Sequence, residues 1–235
     1  MWNDRTRLLI GEDKLKRLQS KHVLIVGVGG VGGYAAECIC RSGVERITLV
    51  DGDTVSETNI NRQIIALQST IGKPKVEVLK ARLSDINPDA DITSYFRFLT
   101  VDDIKEFLLS QHFDYVIDAI DSLSPKVELC AQSLFHNINI VSSMGAGGRT
   151  DPTKIVVSDI SQTYNDRLAR AVREKLRKQK IFKGLKVVFS TEPPAMGAVD
   201  TDDADTMHRS VRGTISYLPP MFGCMLAGEV IQDLL

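Results

Sequence analysis

The stretch Val23-Leu-Ile-Val-Gly27-Val-Gly29-Gly30-Val-Gly32 decides the fold. Four apolar residues of strand type run into a glycine-rich turn, and Tyr34–Arg41 can continue as a helix. Glycines at a strand-to-helix turn let backbone amides approach a phosphate. A second apolar run, Arg46–Val50, ends at Asp51, 19 residues beyond Gly32 and placed to accept hydrogen bonds from a ribose hydroxyl. The pair of features predicts a nucleotide above the first strand.

Outward from this point, β-type runs alternate with helical patterns: Val23–Val26, Ile47–Val50, Ile92–Phe96, Tyr115–Ala119, Ile138–Ser142, Ile155–Ser158 and Lys186–Ser190. Alternation of this kind predicts an α/β protein of Rossmann-like architecture, a mostly parallel sheet with helices on both faces. Pro74 suits the first turn of a helix running to about Ser84, and Ser124-Pro125 reads as cap and first position of a helix to Phe135. Gly145–Pro152 is a turn at the carboxyl edge of the sheet, where ligands of such folds bind. Thr191–Gly213, with Pro193, Pro194 and the acids Asp200, Asp202, Asp203 and Asp205, reads as a mobile surface loop before a closing apolar helix. One domain over 1–235 is expected, with 160–213 as a basic-helix and crossover subregion.

The chain has 235 residues, 43% hydrophobic and 25% charged, with a formal net charge of −1. Its charge is uneven. Between Arg167 and Lys186 nine Lys or Arg face one acid, Glu174, so the segment carries +8. Leu168, Val172 and Leu176 repeat at helical spacing within it, which places Arg167, Arg170, Arg173, Arg177 and Lys178 on an amphipathic helix with its charge outward. A solvated helix face explains such a run about as well as a polyanion does; the self-repulsion of the cluster favours a nucleic-acid backbone. The four cysteines form no C-x-x-C pair, so structural zinc is not expected. Cys38 and Cys40 read as core and Cys224 as inert packing among apolar neighbours. No leader or membrane span is read, which points to a cytoplasmic protein with reduced thiols. His208 in the acidic loop reads as solvated.

The glycine turn and Asp51 alone do not separate an ATP site from a nicotinamide site. The charges beyond them do. If Glu57–Leu67 is helical, Asn59, Arg62 and Gln63 share one face and offer amides and a guanidinium to one ligand. Lys73 and Lys75 flank Pro74 at a helix start, where the macrodipole disfavours each cation by about 0.3–1 kcal/mol. A triphosphate compensates them better than a dinucleotide does. Asp118 and Asp121 follow the fourth strand; Asp121 is the better candidate for Mg²⁺ beside the phosphates, and Asp118 the better candidate for capping a turn.

Together, Gly27 to Gly32, Asp51-Gly-Asp53, Asn59-Ile-Asn-Arg62-Gln63, Lys75 and Asp118-Ala-Ile-Asp121 resemble the ubiquitin-activating-enzyme-like adenylyltransferases. The resemblance implies that Arg62 and Lys75 contact ATP phosphates, that Asp51 holds ribose and that Asp121 serves Mg²⁺. It also implies that Arg5 reaches across a homodimer into the partner's ATP site. Downstream, Val141-Ser-Ser-Met-Gly-Ala-Gly147, Asp151-Pro-Thr-Lys-Ile155, Asp159 to Tyr164, the basic helix and Val188-Phe-Ser-Thr-Glu192 are similar to the bacterial tRNA threonylcarbamoyladenosine dehydratases. That likeness implies ATP-dependent cyclisation of a modified adenosine in the tRNA anticodon loop, releasing AMP and pyrophosphate. Adenylation of a sulfur-carrier or ubiquitin-like protein is the alternative.

Overall fold

A computed structural model describes residues 1–195, 199–200 and 211–235. The acids Asp202, Asp203 and Asp205 and the loop histidine His208 lie outside the described residues. Seven strands, β1 (His22–Val26), β2 (Arg46–Val50), β3 (Asp91–Tyr95), β4 (Tyr115–Asp118), β5 (Asn139–Ser143), β6 (Ile155–Asp159) and β7 (Lys186–Ser190), form one sheet in the order β3-β2-β1-β4-β5-β7-β6. Every pairing is parallel except β6 against β7. The chain reverses direction across the sheet between β1 and β4, so a crevice opens above their carboxyl ends.

Strand periodicity divides the interior into two layers. Val23 and Ile25 of β1 face one layer with Ala35 and Ile39 of α3 (Gly32–Arg41), Leu79 and Leu83 of α4 (Lys75–Ile86) and Phe222 and Leu226 of α8 (Leu218–Leu234). Leu24 and Val26 face the other, with Phe107 of α5 (Ile104–Leu109), Leu129 of α6 (Leu123–Phe135) and Val172 and Leu176 of α7 (Arg167–Lys178). Two short helices precede the sheet, α1 (Asp4–Ile10) and α2 (Glu12–Gln19). α2 buries Leu15 and Leu18, whereas α1 buries nothing and leaves Leu8 and Leu9 80% and 85% exposed.

Three local expectations are corrected. Glu57–Leu67 is not a helix: one 3₁₀ turn, Glu57–Asn59, gives way to turns because the Asn59 side chain accepts from the Ser56 amide and closes the segment on itself. α6 begins at Leu123 with Ser122 as its cap residue, so Pro125 lies inside the first turn, where its missing N–H costs nothing. The Thr191–Gly213 region is not wholly irregular, since Val199–Asp200 pairs antiparallel with Val211–Arg212.

Candidate nucleotide site

The glycine turn is shaped by two close approaches. Gly27 has φ +85°, and a Cβ there would stand 2.6 Å from the Ala119 carbonyl oxygen; a Cβ on Gly32 would stand 1.8 Å from the Gly27 carbonyl oxygen. Only glycine lets β1 turn this tightly into α3 while pressing on the end of β4. Gly32 therefore shapes the turn from beneath, and Gly27, Gly29 and Gly30 line a pocket of about 460 Å³. That volume falls within the range of small-molecule sites.

Asp51, at the end of β2, reaches across to this turn. Its Oδ2 accepts from the Val28 amide at 2.8 Å and its Oδ1 from the Asp53 amide at 2.8 Å. Burial raises its pKa above the ordinary carboxylate value, against the pull of these amides and of Lys75. Each oxygen keeps acceptor capacity toward the pocket. Lys75, buried at the first position of α4, donates to Asp53 Oδ2 at 2.9 Å, and its amide donates to the Asp53 carbonyl. The anionic compensation expected for this cation is thus supplied partly from within the chain. Lys73 is exposed and does not line the pocket.

Arg62 and Gln63 line the pocket from the turns after the 3₁₀ segment. The Arg62 guanidinium is steadied by the Thr58 carbonyl at 2.9 Å and Asn61 Oδ1 at 2.7 Å, and burial lowers its pKa. Asn59 is buried behind them and makes the turn rather than the pocket wall. Asp121 is exposed at the rim, where Ser122 donates to it. Arg5, exposed on α1, does not line this chain's pocket. The β3–α5 loop adds Phe98, whose ring covers Gly52.

Two buried ion pairs beneath the site were not anticipated. Asp118 caps a turn by accepting from the Ile120 amide, as expected, but its other oxygen meets Lys126 Nζ at 2.6 Å, both side chains being fully buried. Lys126 also donates to Ser142 Oγ and the Ser143 carbonyl, so its three protons tie the ends of β4 and β5 together. The readable signal was its place four residues before Cys130, on the buried stripe of α6. The second pair is Arg149–Asp166, at 3.2 Å with both side chains almost wholly buried. Asp166 accepts from the Gly145 amide and caps α7 through the Ala169 amide, while Arg149 donates to carbonyls of Gly145, Asn165 and Glu192. The basic helix is thereby fastened to the segment whose Ala146 and Gly147 line the pocket.

Along α7, Arg167, Arg170, Arg177 and Lys178 are exposed, with Arg170 paired to Glu174 at 2.9 Å. Arg173 points inward, its guanidinium donating to Thr163 and to the Ile160 carbonyl.

A glycine turn, a carboxylate at the end of β2 and two cations around one pocket define a nucleotide-binding α/β protein. Residues 3–235 match the model of the ThiF family, and the chain belongs to that family. It is 42% identical to the tRNA threonylcarbamoyladenosine dehydratase of Bacillus subtilis (strain 168), over 98% of this chain and 93% of that protein. The protein of that name from Haemophilus influenzae is 37% identical over 95% of this chain and 89% of its own length. Among solved structures, the Escherichia coli tRNA N6-threonylcarbamoyladenosine dehydratase in complex with ATP superposes with a TM-score of 0.89 at 36% identity, covering 98% of this chain and 92% of that one.

Two predictions follow from this geometry. Lys126→Met leaves Asp118 buried and unpaired and is expected to cost about 3–5 kcal/mol in denaturant unfolding; Lys126→Met with Asp118→Asn is expected to recover part of that loss, and equal loss in both would overturn the pairing. Asp51 is the stronger acceptor toward a pocket ligand when ionised, and burial raises its folded pKa, so nucleotide affinity is expected to fall with decreasing pH earlier than for an ordinary aspartate. Protonation of Asp51 itself favours the folded state as pH falls, whereas the lowered carboxyls of Glu37, Asp114, Asp159 and Asp233 lose their stabilisation there, so circular dichroism over the same range separates lost binding from unfolding. Calorimetric titration across the acid limb checks it, with Asp51→Asn expected to be flat.

Proposed function

We propose that this chain catalyses the ATP-dependent cyclisation of N6-threonylcarbamoyladenosine in tRNA, releasing AMP and pyrophosphate. The observation that carries this reading is the convergence of Asp51, Arg62, Lys75 and Asp121 on the glycine turn, in a chain similar to dehydratases of that name over nearly its whole length. On this reading the Gly29–Gly30 amides and the Arg62 and Lys75 side chains hold the triphosphate, and Asp51 orients the ribose. Asp121 would supply a hard oxygen donor to Mg²⁺. When bound, that cation supplies neutralisation of phosphate charge.

A carboxylate is a poor electrophile. Transfer of AMP to the threonine carboxylate gives an acyl-adenylate with a good leaving group, and the flanking cations offset the charge that develops on the phosphates. The tethered carbamoyl nitrogen then closes the ring intramolecularly, so no side-chain nucleophile is required. The exposed cations of α7 suit the phosphate backbone of the anticodon stem-loop. The chain acts as a single domain in the cytoplasm, with 160–213 as its basic-helix and crossover-type subregion. Homodimerisation, with Arg5 entering the partner's site, is supported by the exposed Leu8 and Leu9 on the same helix as Arg5.

Mass spectrometry of tRNA nucleosides after incubation with purified protein and ATP tests the reading: the modified nucleoside is expected to lose one water, and an unchanged nucleoside overturns the proposal. Arg62→Ala and Lys75→Ala are each expected to lower AMP release by about 100-fold or more with circular dichroism unchanged; normal turnover in either removes its phosphate role. For the basic helix, Arg177→Glu with Lys178→Glu is expected to weaken tRNA binding and reduce its salt dependence. Unchanged affinity and slope would return that face to solvent.

A further inference from the structure

Helices α3 and α8 pack closely enough that a Cβ on Gly223 would stand 2.3 Å from the Val31 carbonyl oxygen. One residue further along α8, the exposed Cys224 places its Sγ 3.8 Å from the Sγ of the half-buried Cys38 on α3. Cys38, expected in the core, packs against it but is only half-buried, and Cys224, expected to pack inertly among apolar neighbours, is exposed. The other two cysteines are sealed: Cys40 is buried and donates to the Leu83 carbonyl, and Cys130 is buried against Asp118. Neither Cys38 nor Cys224 lines the nucleotide pocket. The Cys38 S–H donates toward Cys224, and this bond pulls the Cys224 thiol down to about 7 while raising that of Cys38. The reachable sulfur is therefore the one that carries thiolate near neutral pH, and the protected one lies behind it.

We infer that Cys38 and Cys224 form a redox-active dithiol that takes low-molecular-weight disulfides such as oxidised glutathione. The Cys224 thiolate attacks one glutathione sulfur, forming a mixed disulfide and releasing the first glutathione as its thiolate. Cys38 gives up its proton and displaces the second glutathione, closing the Cys38–Cys224 disulfide. Two protein thiols are oxidised to one disulfide as one oxidised glutathione is reduced to two thiols, which take up the two protons. The sulfurs need close by only about 2 Å to reach bonding distance. Val31, just before α3, and Pro219, in the first turn of α8, both line the pocket, so the bond fastens together the two helices that wall one side of it.

The test is incubation of the full chain with oxidised glutathione, followed by alkylation, digestion and mass spectrometry. Expected for the unaltered chain are loss of two of its four alkylatable thiols, one Cys38–Cys224 cross-linked peptide, no retained glutathione, and reversal by dithiothreitol. Cys38→Ser is expected to retain one glutathione on Cys224, and Cys224→Ser to form neither adduct nor cross-link at the same dose. Both serine variants are expected to keep the basal AMP release of the unaltered protein. Retained glutathione on the unaltered chain, four free thiols after treatment, or a cross-link through Cys40 or Cys130 would each overturn the inference.

Discussion

The structure depends on the absence of side chains at Gly27 and Gly32. With a Cβ at either position the turn after β1 would collide with the Ala119 carbonyl or with its own first residue. Because neither exists, α3 starts directly over the end of β1, and the backbone of β4 lies within van der Waals reach of the turn. This close approach sets the floor of the pocket at the crevice between β1 and β4. Asp51 then bridges the turn to β2 through the Val28 and Asp53 amides, so three neighbouring strands are locked at one edge by backbone contacts and a single carboxylate.

Charge around the pocket is arranged in pairs whose members come from different elements. Lys75 of α4 leans on Asp53 after β2, Lys126 of α6 on Asp118 of β4, and Arg149 beyond β5 on Asp166 ahead of α7. The two buried pairs, Lys126–Asp118 and Arg149–Asp166, contribute little net stability against an apolar replacement, but they are costly to half-remove. Their use here is positional. Lys126 satisfies all of its protons on the ends of β4 and β5, so the segment carrying Asp121 cannot drift relative to the sheet without exposing a buried charge. The Lys75 ammonium is likewise held at the wall of the pocket by Asp53.

The amino-acid sequence made the sheet and most of the pocket readable because both are written in local patterns. Strand runs, the glycine turn and Asp51 depend on neighbours close in the chain, and the pocket gathers Gly27, Asp51, Arg62, Lys75 and Asp121 as those patterns imply. Asn59 and Arg173 show where local reading ran out. Each was placed by helical periodicity on an outward or ligand-facing side, and each is instead claimed by a backbone turn nearby, around Ser56 for one and Thr163 for the other. Lys126 and Arg149 went unnoticed for a related reason, since their carboxylate partners lie on other elements and a polar residue on an apolar stripe declares no partner by itself. The Cys38–Cys224 contact joins residues 186 positions apart, a separation at which spacing carries no information.

The Arg149–Asp166 link has a geometric consequence. Asp166 is both the cap of α7 and a ligand of the Gly145 amide, so the origin of the helix is pinned at the pocket's edge. Twelve residues at about 1.5 Å each carry the helix roughly 18 Å from that origin. The exposed Arg167, Arg170, Arg177 and Lys178 along it therefore stand at set distances from the pocket's edge, like marks on a ruler whose zero is the Arg149–Asp166 link.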